Sequence, residues 1–234
     1  MNISWVRDQL PGKRIDYYES IPSTMPLAKG CPSGTAVVAG EQTAGTGRYG
    51  RPWHSEPHSG LYLSVVIGAS FDPVVTLALG LAVRDAIHQT TNLACDLRWP
   101  NDVLINEKKA AGILTQLEGQ ITIAGIGVNV NHSSFPPELA TQATSLRMAS
   151  GQPQSREQLL VALLPLIDTY CALGRESILE MFSHSSSYVH NRRVCVDGKL
   201  HGTTAGLNQS GFLLLNDDHG KQHTILAGGV RPCS

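Results

Sequence analysis

The sequence predicts an α/β (α+β) chain in which a mixed sheet with packed helices is followed by a small C-terminal β-barrel. Three observations carry that prediction. Apolar strand signals recur at 34–41, 61–67, 95–99, 103–105, 111–118 and 121–130. Helical spacing appears at 74–89, then again at 155–167 and 176–184. After Ser187 the texture changes to short apolar runs separated by turn signals, which is the pattern of a small barrel. A boundary near 186–190 divides the chain into a domain over 1–187 and a barrel over 188–234.

Each element has a local reason. The strand at 34–41 centres on Ala36-Val37-Val38-Ala39, and that at 61–67 reads Leu61-Tyr62-Leu63-Ser64-Val65-Val66-Ile67. The helix at 74–89 places Val75, Leu79, Ala82, Val83 and Ala86 on one face. Glu118-Gly119-Gln120 is a hairpin turn between the last two strands of the first domain. Residues 131–154, rich in Pro, Ser and Thr, read as irregular. Ser155 and Gln158 form a capping box ahead of Leu159, Leu160, Leu163 and Ile167, and Pro165 predicts a kink or an early end to that helix. In the C-terminal part, Asp197-Gly198, Asn208 to Gly211 and Asp217 to Gly220 are the turns. Residues 1–16 carry only weak patterning.

Composition excludes several function classes. The chain has 234 residues, 41% of them hydrophobic and 16% charged, which is a packed globule and not a disordered tail. Eighteen Lys and Arg against 19 Asp and Glu leave a net charge of −1, so no broad basic field for nucleic acid is expected. No apolar run is long enough to span a bilayer, and Met1 to Pro11 lacks a signal-peptide core. The five scattered cysteines form no C-x-x-C pair, which fits free thiols in a cytoplasmic protein.

Five local motifs remain. Gly45-Thr46-Gly47-Arg48-Tyr49-Gly50 fits G-x-G-x-x-G after a strand, but Arg51-Pro52-Trp53 does not open the helix a Rossmann site needs. Its glycines expose backbone amides, Arg48 and Arg51 supply charge, and Trp53 offers a stacking face, a set suited to a nucleotide or equally to a solvated surface turn. Arg98-Trp99-Pro100-Asn101-Asp102 is either an Asx turn or a site. Lys108 to Gly112 puts small residues beside lysines, as a ligand contact or an exposed turn. Gly125 and Gly127 share a strand face, marking close approach of a ligand or a bulge. His54 and His58 make H-x-x-x-H, but Pro57 lies between them and no helix is expected, so no metal ligands are assigned.

Taken in order, these segments resemble the biotin protein ligases, specifically the biotin–[acetyl-CoA-carboxylase] ligases. The likeness runs through Ser23-Thr24, Glu41 to Arg51, Trp53, Leu61 to Ser64, Trp99 to Asp102, Lys109 to Leu114, Gly125 to Asn131 and a barrel ending Ala227-Gly228-Gly229-Val230. It implies a catalytic domain akin to class II aminoacyl-tRNA synthetases with an SH3-like barrel. It also implies a reaction in which biotin and ATP, with Mg²⁺ on the phosphates, give biotinyl-5′-AMP. The biotinyl group then passes to a lysine of the biotin carboxyl carrier protein. In repressor-type ligases a winged-helix domain precedes the core. Here the first motif begins after 22 residues, so the expectation is a monofunctional enzyme, monomeric or homodimeric.

The resemblance also assigns roles. Ser23, Thr24 and Gln42 should contact the biotin ureido group or hold its pocket, and Gly45 and Gly112 should line it. Trp53, Asn101 and Asn129 should meet the adenylate, and Thr46, Gly47, Arg51 and Gly125 complete the expected binding residues. Two anions meet when a carboxylate attacks an α-phosphate, a repulsion of about 4 kcal/mol at 4 Å and an effective dielectric near 20. Lys109 and Arg48 are the expected catalytic cations, and Asp102 is expected to orient or deprotonate the acceptor amine. The carboxylate is already ionised at neutral pH, so adenylation needs no general base. Loop 43–58 is expected to order around its ligand. Met25, Thr46 and Arg98 depart from the family pattern. A lipoate ligase or octanoyltransferase of the same fold is the alternative, disfavoured because no Gly-Gly-Gly segment is present. A non-catalytic binding module on this fold is the other rival.

Overall fold

A computed structural model of the chain describes residues 1–69 and 72–233. Seven strands form the first sheet: β1 (Ile15–Ile21), β2 (Ala36–Gln42), β3 (Gly60–Ala69), β4 (Asp96–Arg98), β5 (Asp102–Ile105), β6 (Lys108–Glu118) and β7 (Ile121–Asn129). Their order is β1-β2-β3-β7-β6-β5-β4, parallel between β1 and β2 and antiparallel elsewhere. Five more strands, β8 (His190–Val196), β9 (Leu200–Leu207), β10 (Leu213–Asp217), β11 (Gln222–Ile225) and β12 (Val230–Pro232), form a second, antiparallel sheet. The expected mixed α/β domain and small C-terminal β unit are both present.

The first sheet alternates its side chains between two unlike faces. On one face Leu61, Leu63 and Val65 of β3 stand beside Val128, Ile126 and Ala124 of β7, all in the main apolar core. Helices α3 (Pro73–Thr91) and α5 (Arg156–Cys171) cover that face, and α6 (Arg175–His184) packs on α3 and β9. On the other face Tyr62 pairs with Gly127, and Ser64 with Gly125. Among the described helices the short α2 (Thr24–Ala28) lies on this face, burying Met25 and Ala28 against Val37, Val66 and Ile123. Beyond α2, loop residues such as Trp53 lie over this face.

Helix α3 is set by local chemistry. Asp72 caps it, accepting from the Val74 amide at 3.0 Å, Pro73 stands at its first position, and Asn92 ends it in the left-handed conformation. In α5, Ser155 accepts from the Gln158 amide at 3.1 Å, the capping half of the expected box. The helix then runs through Pro165 to Cys171, against the expectation of an early end. An interior proline costs about 3 kcal/mol, whereas each fully buried leucine or isoleucine returns about 1.5–3 kcal/mol. Leu159, Leu160, Leu163, Leu164 and Ile167 are all buried, and Pro165 faces out, so burial prevails.

Five helices and strands were not legible, α2 and the short β12 among them. Helix α1 (Ile3–Gln9) is one and strand β1 another; β1 is an edge strand whose polar run Asp16 to Ser20 does not alternate. Register with the apolar β2 places it. Within 131–154, otherwise irregular as expected, α4 (Leu146–Ser150) is the last of them. The second sheet shares the main core through Val194, Leu213 and Leu215, and Trp99 Nε1 donates to the Gly211 carbonyl at 2.9 Å. Asp197 and Gly198 both adopt positive φ, as the turn signal requires.

Candidate active site

The α2-bearing face of the first sheet, the loop after β2, residues 135–143 and the Gly228–Arg231 edge of the second sheet enclose a cavity of about 260 Å³. Its floor is built from glycines. Gly112 on β6 pairs with Gly127 on β7, and Leu114 with Gly125. A Cβ on Gly127 would come within 2.5 Å of the Trp53 ring, and one on Gly112 within 2.8 Å of Lys109. A Cβ on Gly125 would meet the Met25 sulfur at 2.9 Å. Of the two readings the sequence left open, the strand glycines mark close approach, here of the Trp53 and Met25 side chains, and not a bulge: β6 and β7 pair without a register shift.

At the inner end, Thr24 donates to Gln42 Oε1 through both its amide (2.9 Å) and its hydroxyl (3.1 Å). Thr24 Oγ1 also meets Ser64 Oγ at 2.7 Å, which ties α2, β2 and β3 together at one point. Ser23 lines the cavity as the N-cap residue of α2. Gly45 does not: it is buried behind the wall, where a Cβ would strike Gln42 Nε2 at 2.9 Å and Ser55 Oγ at 3.1 Å. Its carbonyl accepts from the Trp53 amide at 2.8 Å and so brings the indole over the floor. Gly47 N donates to the Arg51 carbonyl at 2.8 Å, closing the loop that carries Thr46, Gly47, Arg48 and Arg51 along the cavity. No helix follows this loop, as expected, but only a three-residue turn at Arg48–Gly50.

The other end is charged. Among the described residues, Arg48, Arg51, Arg98, Lys109 and Arg231 line it with a single carboxylate, Asp102. Asp102 receives Lys109 Nζ at 2.6 Å on one oxygen and Arg98 at 2.7 Å on the other, with Arg231 at 3.8 Å. Burial pushes its carboxyl up, but Lys109 and Arg98 together outweigh this and hold it below the usual carboxylate value. Arg231 is held below its ordinary value, first by burial and then by the Arg98 charge. Lys109 Nζ also stands 5.2 Å from the Trp53 ring centre. Arg48 donates to Asn101 Oδ1 at 3.0 Å and to the Gly228 carbonyl at 3.3 Å. Five cations around one carboxylate form a pocket for an anion, in a chain whose net charge is −1.

Asn101 and Asn129 line the cavity but are already committed. Asn101 Nδ2 donates to the Ile113 carbonyl at 2.9 Å. Asn129 Nδ2 donates to the carbonyls of Lys109 (3.3 Å) and Thr144 (3.0 Å) and pins the strand that carries Lys109. Sequence reasoning missed Arg231 and Gly228, which arrive from the far end of the chain. It also missed Phe135, Leu139, Gln142 and Ala143 from the irregular stretch. The Lys109 amide donates to the Gln142 carbonyl at 2.8 Å, a pairing with no local signal.

Known proteins share this architecture. The chain superposes on a biotin protein ligase from Aquifex aeolicus in complex with biotin and ATP with a TM-score of 0.86. That match has 30% identity and covers 94% of this chain and 100% of the other. It is 33% identical over 237 residues to the bifunctional ligase/repressor BirA of Bacillus spizizenii, covering 92% of this chain and 73% of that protein. It is 28% identical to the biotin–[acetyl-CoA-carboxylase] ligase of Paracoccus denitrificans, covering 84% of this chain and 90% of that one. Residues 17–133 match the model of the biotin/lipoate A/B protein ligases, and with these relatives over nearly its whole length the chain belongs to the biotin/lipoate A/B protein ligase family.

Proposed function

We propose that the chain is an ATP-dependent biotin protein ligase, which activates biotin as biotinyl-5′-AMP and transfers it to a lysine of the biotin carboxyl carrier protein. One observation carries the reading: a glycine-floored slot opens directly into a pocket of five cations. A compact apolar acid fits the slot, with its carboxylate delivered to the phosphates at the charged end. The names of the relatives from Aquifex aeolicus and Paracoccus denitrificans support the substrate and the acceptor class.

In the first step a biotin carboxylate oxygen bonds to the α-phosphorus of ATP. The bond from that phosphorus to the bridging oxygen breaks, and pyrophosphate leaves. Lys109 and Arg48 offset the repulsion between the anions and stabilise charge on the phosphoryl oxygens. Asp102, the one carboxylate among the described lining residues, is engaged by Lys109 and Arg98. Magnesium is therefore best held by the phosphates and water. In the second step the neutral lysine amine attacks the acyl carbon and AMP departs.

For Asp102 the structure favours one half of the sequence expectation. A carboxylate held below its usual pKa is a poor base toward an ammonium near 10.4. We assign it the positioning of Lys109 and Arg98. If Asp102 were the base, Asp102→Asn would lose transfer from preformed biotinyl-AMP and keep adenylation; as a positioning residue it impairs both steps together. The overall test is labelling of an acceptor lysine that needs biotin, ATP and Mg²⁺. Labelling with lipoate or octanoate instead would overturn the reading, and absence of any adenylate would favour a binding module. Among the described residues no helix is long and apolar enough to cross a membrane, and we propose a cytoplasmic protein.

A further inference from the structure

We infer that His54, Glu56 and His132 bind a divalent transition cation, with zinc as the best match to the donors, beside the cavity that His54 helps to line. A ring nitrogen of each histidine and a carboxylate oxygen of Glu56 all lie within 4.8 Å of one another. Zinc bonded to such donors at about 2.0–2.1 Å needs them roughly 3.4 Å apart, so the three must close by about an ångström. His54 and Glu56 have that freedom. They sit on the loop between β2 and β3, His54 half-buried and Glu56 exposed.

His132 is the fixed member. It follows β7, is fully buried, and stacks on Phe135 with ring centres 5.1 Å apart and 5.6 Å from the ring of His54. Its hydrogen bonds assign its tautomer. The Tyr62 hydroxyl has one proton and donates it to the Glu56 carbonyl at 3.2 Å. The 3.3 Å contact between Tyr62 Oη and His132 Nε2 is then a bond in which Nε2–H donates. That leaves Nδ1 as a bare lone pair, buried and without a hydrogen-bond partner among the described residues. A histidine whose far N–H is anchored by a second group, leaving the other nitrogen unprotonated, is the state in which imidazole ligates a metal. Two imidazoles and a carboxylate are the donors zinc takes. His58, the partner suggested by H-x-x-x-H spacing, instead lies 3.4 Å from Glu19. A cation here would fasten loop residues 54–56 to the end of β7 and hold the adjoining Trp53 over the glycine floor.

The test titrates zinc alone, then cobalt as a spectroscopic probe, into the full chain without ATP or biotin. One ion per chain is expected, with tetrahedral cobalt bands lacking thiolate charge transfer. His54→Ala and Glu56→Gln, both on the loop, should each weaken zinc by at least about tenfold while far-UV dichroism and melting stay unchanged. Zinc should also slow proteolysis within 43–58 in the parent chain but not in His54→Ala. Undiminished affinity in both variants, loss of binding in Cys195→Ser (whose thiol lies 3.5 Å from His201), or no binding at all would overturn the proposal.

Discussion

The two ends of the cavity are made in opposite ways. The glycine floor comes from one pair of adjacent strands, β6 and β7, whose register alone sets Gly112 opposite Gly127. The charged end gathers Arg48 from the loop, Arg98 and Asp102 from β4 and β5, Lys109 from β6 and Arg231 from β12. A floor of this kind selects by shape, since any added methyl group strikes Trp53, Lys109 or Met25. The charged end works by balance, since its one carboxylate among the described lining residues positions Lys109 and Arg98 at hydrogen-bond distance and still leaves an excess of positive charge for an incoming anion. The difference teaches that binding of the apolar acid and activation of its carboxylate can be damaged separately.

The largest separation should come from Lys109→Ala. It leaves the floor intact and should slow biotin-dependent ATP–pyrophosphate exchange by about 10³-fold, near 4 kcal/mol, while biotin still binds. Normal exchange would remove Lys109 from the chemistry. Asp102→Asn should next cost about 3 kcal/mol of folding stability at neutral pH, because the 6% exposed Arg98 is left as a buried charge beside Lys109. The sign of its pH dependence follows from the depressed pKa. The native carboxylate's contribution is complete above the unfolded value near 3.9 and is lost as pH falls through the lower folded value. The gap in stability between parent and variant should therefore narrow only in acid, and a gap that narrows between pH 8 and 5 would contradict this.

Gly127→Ala tests the floor. Displacing the Trp53 ring should weaken biotin by about tenfold, read by calorimetry, within the 1–3 kcal/mol usual for overpacking. The turnover of bound biotin should fall less than its affinity. Arg231→Ala is the mildest. At 3.8 Å its bridge to Asp102 is loose, and an increase of a few-fold in the KM for ATP, about 1 kcal/mol or less, is expected with biotin affinity unchanged. An equal loss for both substrates would merge the two ends into one unit.

Legibility followed the same division. The floor could be read from Gly125 and Gly127, because the period of two in a strand puts both on one face without knowledge of the fold. Lys109, Arg48 and Asp102 were each found by local motif, yet nothing local joined them. Arg231 was invisible for that reason, and so was the tie between Lys109 and Gln142. Where Gly45 sits was not legible for a related reason: its motif names the residue, but only the turn shows that a Cβ there would face Gln42 and Ser55.

The sequence by itself determined most strands and helices and both glycines of the floor strand. Those follow from periodicity, caps and turn residues, which act over a few neighbours. It also marked the loop after β2 and the strand ends around Asp102 and Lys109 as places for chemistry. Tertiary structure alone decided that α5 continues past Pro165, that the polar edge strand β1 exists, and that residues 228–231 close the charged end. Each of these depends on burial or charge between segments far apart in the chain. A proline's local cost is overridden by five buried side chains, and a carboxylate's pKa is set by cations whose distance no spacing rule contains.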